Sequence, residues 1–196
     1  MSLTVKSLTG TDLAQGLPAL ARLRMEVFRA WPYLYDGSLA YEQGYLEKFV
    51  QAPGAVIVAA EDAGEIVGCA TAAPMAAVEP DFAAPFLARG VDVGRIFYCG
   101  ESVLRASYRG KGLGHAFFDA REAQARALGG FAKSAFCAVV RPPDHPLAPA
   151  GYVPLDAFWR RRGYERIDGM TCTFTWKDID QPHETAKTMQ FWMKSL

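Results

Sequence analysis

The segment Arg109-Gly110-Lys111-Gly112-Leu113-Gly114 constrains this chain most, because it stands between a strand-like run and a helical one. Arg95 to Leu104 reads as the strand and Lys111 to Leu128 as the helix. The first amide N–H groups of a helix have no intrahelical partner, and the positive end of the helix dipole lies there too. Glycine admits positive φ and lets an anion approach the backbone with no Cβ in the way. Arg109 and Lys111 add charge. The unit is either a cradle for a diphosphate or a tight turn that needs glycine only for its geometry. Other phosphate motifs fit less well. The Walker pattern, with Gly-Lys followed by Ser or Thr, is absent. The dinucleotide fingerprint needs glycine where His115 stands and an acid about 20 residues later, and Lys133-Ser134-Ala135 supplies none.

Around this unit the chain reads as alternating short elements. Leu3 to Leu8 alternates like a strand, and Thr11-Asp12 offers caps for a helix to Phe28 with Leu13, Leu17, Leu20, Leu23 and Val27 as its stripe. Pro32 stops it, and a second helix is expected from Ser38 to Val50. Ala55 to Ala60 and Glu65 to Thr71 flank Glu61-Asp-Ala-Gly64 as a hairpin. Pro74 to Gly90 is a connector with one short helix. In the helix of Lys111 to Leu128 the expected face is Leu113, Ala116, Phe117, Ala120, Gln124 and Ala127, with Gly129-Gly130 as the stop. Phe131 to Val140 is a strand, Arg141 to Pro154, with five prolines, a loop, and Leu155 to Arg162 a short helix closed by Gly163. Met170 to Trp176 is a late strand, and Glu184 to Lys194 is expected to form a C-terminal helix. The order points to one layered α+β or mixed α/β domain over 1–196, with 177–196 as an extension docking on the domain or on a second subunit, as in a homodimer.

Composition narrows the partners. Twenty-one basic residues balance 21 acidic ones, so no global field draws in nucleic acid. No run approaches the roughly 20 apolar residues that cross a bilayer, and the N-terminus has no signal-peptide pattern. The four cysteines, Cys69, Cys99, Cys137 and Cys172, form no C-x-x-C pair, so no metal is expected; buried thiols fit the cytoplasm.

Tyr108-Arg-Gly-Lys-Gly-Leu-Gly-His-Ala-Phe-Phe118, after the strand Tyr98 to Leu104, resembles the acetyl-CoA motif R/Q-x-x-G-x-G/A of the GNAT acyltransferases. Phe158-Trp159-Arg-Arg-Arg-Gly-Tyr164 is similar to that family's later Y-x-x-x-G-F/Y element, and the element order agrees from about residue 3 to 176. The resemblance implies a mixed, mostly antiparallel sheet flanked by helices and splayed at the CoA site, with Gly100 as a point for a bulge. It implies that the backbone of Arg109, Gly110, Lys111, Gly112, Leu113, Gly114 and His115 holds the CoA pyrophosphate. Val103, Leu104 and Arg105 would pair with pantetheine like an added strand.

The implied chemistry is attack of an amine on the thioester of acetyl-CoA, which requires a base. Glu101 is the only carboxylate in its strand, so it is the candidate, against an edge or surface glutamate or a purely structural pairing with Arg95 or Arg105. The family's frequent acid tyrosine falls at Trp159, leaving Tyr152 or Tyr164 as substitutes or as packing. The acceptor side draws on Phe28 to Asp36, including Tyr33 and Tyr35, and on the proline loop with His145 and Tyr152. Arg160-Arg161-Arg162 is either a contact for the CoA 3′-phosphate or a solvated helix face, and the solvated face is the favoured reading. Other readings are a non-catalytic acyl-CoA sensor and a protein N-terminal or lysine acetyltransferase.

Overall fold

The computed structural model describes residues 3–196. In chain order its elements are β1 (Thr4–Thr9), α1 (Leu13–Phe28), α2 (Leu39–Val50), β2 (Val56–Asp62), β3 (Glu65–Pro74), α3 (Pro80–Leu87), β4 (Ile96–Leu104), α4 (Leu113–Leu128), β5 (Lys133–Val139), α5 (Asp156–Arg161), β6 (Glu165–Lys177) and β7 (Glu184–Ser195). The strands form one sheet in the order β1-β2-β3-β4-β5-β7-β6. Every neighbouring pair is antiparallel except β4 and β5. The expected mixed α/β architecture, a mostly antiparallel sheet flanked by helices, is therefore present.

Helices cover both faces of the sheet. On one, α1 and α2 close over Ile57, Ala59, Cys69 and Val103, and α3 continues the layer over Ile96, Tyr98 and Phe191. On the other, α4 and α5 pack on Val58, Ala70, Phe97, Cys99 and Phe136. The β2–β3 hairpin turns at Ala63-Gly64, both at positive φ, which matches the right-handed twist of the paired strands. The stop of α4 at Gly129 is likewise a positive-φ cap.

Three expectations give way here. Thr11-Asp12 does not cap α1: a 3-10 turn, Gly10–Asp12, leads into it, and the Asp12 carboxylate accepts from the Gln15 side chain instead. The buried face of α4 is rotated toward Phe118, Arg121, Glu122 and Ala125, leaving Ala127 exposed, because Arg121 and Glu122 find polar partners inside. Glu184 to Lys194 is a strand rather than a helix. As β7 it lies between β5 and β6, so Phe191 and Trp192 are buried on opposite faces. A strand covered on both sides shows a continuous apolar run, which periodicity alone does not separate from a helix.

Two irregularities of β4 shape the site. Between Ala70↔Ser102 and Ala72↔Cys99 the register of β3 advances by two residues and that of β4 by three, so β4 carries one extra residue at Gly100-Glu101. Phe97 and Cys99 face α4, but after the bulge Val103 faces α1. The extra residue has moved the following side chains to the opposite face. Gly100 suits this point because a Cβ there would lie 2.5 Å from Thr71 Oγ1. We expect Gly100→Ala to cost about 1–3 kcal/mol through overpacking. Thermal melts should show Thr71→Ala restoring most of that loss in the double variant, since it removes the clashing oxygen.

The second irregularity is a parting of strands. β4 and β5 pair only over Ile96↔Lys133, Phe97↔Ser134 and Tyr98↔Ala135. Beyond Tyr98 they diverge, so one edge of β4 from Cys99 onward has no strand beside it.

Candidate active site

At the mouth of this opening the chain passes through a 3-10 turn, Ala106–Tyr108, into the glycine turn and α4. The Tyr108 hydroxyl donates to Asp62 Oδ2 (2.9 Å), fixing the turn to the β2–β3 hairpin. Arg109 N–H bonds Ala106 O, and the N–H groups of His115 and Ala116 both bond Gly112 O. Among the described residues, the amides from Gly110 to Gly114 have no backbone acceptor. Gly110 (φ 76°) and Gly112 (φ 82°) are left-handed, and a Cβ on either would meet nothing within 4 Å. Arg109 and Lys111 are exposed beside them. Open backbone amides, a helix N-terminus and two cations are what a diphosphate requires.

The third glycine serves packing. A Cβ on Gly114 would lie 3.4 Å from Phe158 of α5, whose ring also meets the His115 imidazole at 4.9 Å. Val103 and Leu104 pair with Cys69 and Gly68 on β3, leaving their other edge open toward the parted strands. Arg105 reaches away to Glu26 (3.2 Å) and Glu65 (2.8 Å), so it is not the partner of Glu101.

Glu101 is instead turned by the bulge toward α1, where its Oε2 pairs with Arg24 Nη1 at 2.9 Å. Its Oε1 is buried and accepts no hydrogen bond. From the α4 side, Arg121 Nη1 donates to the carbonyls of Thr71 (3.3 Å) and Glu101 (3.4 Å), the backbone that the bulge displaces. Arg24 also pairs through Nε with Glu42 of α2, and its guanidinium lies 4.5 Å from the Tyr45 ring centroid. Burial opposes the charge on Arg24, but Glu101, Tyr45 and Glu42 hold its pKa above the ordinary value.

Beside this cluster a cleft of about 200 Å³ opens between α2, the start of α3 and the sheet. Tyr45, Phe49, Thr71, Phe82, Tyr98 and Gly100 line it, and a Lys48–Glu79 ion pair (3.1 Å) lies at its edge. Burial, then Cys137, raises the Tyr98 phenol well above its usual range, so its hydroxyl stays protonated against Cys137 Sγ (3.2 Å).

The acceptor-side residues expected from sequence fall in two places. Tyr33 stacks on Phe28 and Trp176, and burial, then Cys137 and Glu101, push its phenol pKa above the ordinary value, which keeps the hydroxyl protonated. Tyr35 lies beside Glu42. His145 and Tyr152 gather instead around Trp31, at ring separations of 5.1 and 5.9 Å. Arg141 ties these regions together: it donates to the carbonyls of Pro32 and Tyr33 and grips Asp178 with two nitrogens (2.6 and 2.9 Å). Burial would raise the Asp178 pKa, but Arg141 and Lys187 hold it below the usual carboxylate value. A depressed carboxylate stabilises the fold above its unfolded pKa and loses that contribution as pH falls through the folded one. The melting-temperature deficit of Asp178→Asn is therefore expected at neutral pH and should shrink below about pH 4.

Of the two readings open for Tyr164 the structure bears out packing, and one reading, that of Arg162, is corrected. Tyr164 is core: its hydroxyl lies 2.7 Å from Ser134 Oγ and 3.2 Å from Glu122 Oε1, with no exposure, so it does not reach a leaving group. Arg162 is not solvated, since it pairs with Asp119 (2.7 Å) and Glu122 (3.2 Å), while Arg160 and Arg161 are exposed. Arg24, Glu42, Tyr45, Thr71 and Tyr98 were not singled out from sequence. A usable signal existed: Arg24 follows Leu20 and precedes Val27 at helical spacing, and Glu42 stands three and seven residues before Tyr45 and Phe49.

A family model for the acetyltransferase (GNAT) family matches residues 18–164. The chain belongs to the GNAT acetyltransferase family. Solved structures of similar fold include a ribosomal-protein-alanine N-acetyltransferase from Brucella melitensis (18% identity, 99% of this chain and 100% of that one, TM-score 0.63). A GCN5-related N-acetyltransferase from Kribbella flavida matches at 18% identity over 98% of both chains (TM-score 0.61). An aminoglycoside acetyltransferase in complex with coenzyme A matches at 17% identity over 99% of this chain and 95% of that one (TM-score 0.59). No curated protein matches the sequence. Among the described residues no helix is long and apolar enough to cross a membrane, and no cluster of side chains suits a metal ion.

Proposed function

We propose that this protein is an N-acetyltransferase that moves the acetyl group of acetyl-CoA to a primary amine of a small-molecule acceptor. The observation that carries the reading is the alignment of two open features on one path. The unpaired edge of β4 leads, through the 3-10 turn Ala106–Tyr108, to the five amides of Gly110 to Gly114 that lack backbone acceptors. The turn suits the pyrophosphate, with Arg109 and Lys111 supporting it, and the backbone of Val103, Leu104 and Arg105 suits an extended pantetheine arm. When bound there, acetyl-CoA supplies an activated thioester.

The protein's own work is then to deprotonate and aim the amine. Glu101 Oε1, buried and without a donor, takes a proton from the acceptor ammonium. The freed nitrogen forms the C–N bond as the C–S bond breaks, loses its second proton to solvent, and the thiolate is protonated by solvent. The bulge at Gly100-Glu101 leaves a residue outside the ladder, a place where a backbone N–H can stabilise the oxyanion. The cleft's aromatic walls, Tyr45, Phe49, Phe82 and Tyr98, suit an amine with a compact apolar body.

The test is a thiol-release assay with acetyl-CoA over a panel of arylalkylamines, amino acids, polyamines, aminoglycosides and peptides. Turnover on compact amines is the expected result. Strong CoA binding with no turnover on any amine rejects the reading in favour of a sensing domain.

A further inference from the structure

Arg24 joins three elements. Its Nε pairs with Glu42 of α2, and its Nη1 pairs with Glu101 of β4 at 2.9 Å. The Glu42 side chain has no exposure and that of Glu101 only 4%. Each carboxylate keeps its Oε1 buried without a donor. Native interiors rarely leave such oxygens unsatisfied, so ion pairing for stability alone is a poor account of this trio. With both acids ionised it carries one negative charge in excess, in an enclosed place beside the cleft.

The groups that face the two carboxylates keep their own protons. Arg24, Tyr33, Tyr45 and Cys69 face Glu101 from α1, the loop after it, α2 and β3; Arg24, Tyr35 and Tyr45 face Glu42. Burial raises all three phenols and pushes the Cys69 thiol up to about 12, and Arg24 stays charged.

We propose that Arg24 and Glu42 are positioning residues for Glu101. Arg24 fixes one oxygen so that the other is aimed, and Glu42 shares the guanidinium and adds the negative charge that favours proton uptake. The proton moves from the acceptor ammonium to the Glu101 carboxylate, giving a neutral amine and a carboxylic acid. This rests on Glu101 being the base proposed above.

The test uses the full chain with ¹³C at the glutamate carboxyl carbons, the Glu101 signal being the one lost in Glu101→Gln. Glu42→Gln removes a like charge and leaves Arg24 to Glu101 alone, so the ionised form of Glu101 is favoured. Its titration midpoint is expected to move down by about one pH unit. The ascending limb of kcat/KM for the best amine of the panel should move with it, while KM for acetyl-CoA stays unchanged. An unchanged midpoint overturns the proposal. If Glu42→Gln does not fold, Glu42→Asp withdraws the charge by one methylene, and a smaller shift the same way is expected; none overturns it. Turnover lost in Glu101→Gln without a shift in Glu42→Gln retains the base and rejects the positioning pair. Unchanged turnover in Glu101→Gln rejects the base itself.

Discussion

Glu101→Gln is expected to lower kcat/KM for the acceptor amine by about 10²–10⁴-fold, the range for loss of a positioned general base. The substitution keeps the shape of the side chain and an oxygen that can accept from Arg24. Arg24 retains Glu42, so its charge is not left without a partner. Folding should survive, which circular dichroism and a thermal melt would check. CoA affinity should be unchanged, because the Glu101 side chain pairs with Arg24 of α1 and the amides that suit the pyrophosphate belong to Gly110 to Gly114. The remaining activity should rise with pH as the free amine accumulates, without the limb that a titrating base imposes. A full rate with a wild-type pH profile would reduce Glu101 to a structural ion-pair partner of Arg24.

The reach of the sequence follows from how local each signal is. The glycine turn was legible because strand, turn, helix and two cations lie within one short segment and need nothing remote to make sense. Gly100 was legible as a bulge site only through the family resemblance. Why it must be glycine depends on Thr71, a residue on another strand. Glu101 was recognised as an expensive charge in a strand, but its partner was sought along the same strand, at Arg95 and Arg105. The bulge carries the side chain across the sheet to Arg24, and sequence spacing holds no trace of that. The same holds for β7. Its position between β5 and β6 erases the alternation that marks a strand with one wet face. Tyr164 matched a family element correctly, yet the match says nothing of its hydroxyl, which a buried carboxylate, Glu122, and Ser134 claim for the core.

Donor binding should fail most completely at Gly112. Its φ of 82° is one that a β-branched residue adopts only with strain, and the space where a Cβ would stand is open. Gly112→Val therefore acts twice: it resists the left-handed cap that starts α4, and it fills the place where an anion would meet the amides. Losing two or three charge-assisted bonds, each about 1.5–3 kcal/mol, corresponds to at least a hundredfold weaker binding of CoA. Calorimetric titration with CoA and with 3′-dephospho-CoA separates the causes. If the turn holds the diphosphate, both ligands weaken by the same factor, because both retain it. Gly114→Ala supplies the contrast, since its methyl would press on Phe158 at 3.4 Å rather than on a ligand. It should lower the melting temperature slightly and leave CoA affinity near that of the wild type. A Gly112→Val protein that folds and binds CoA normally would leave the turn as a device for starting a helix and nothing more.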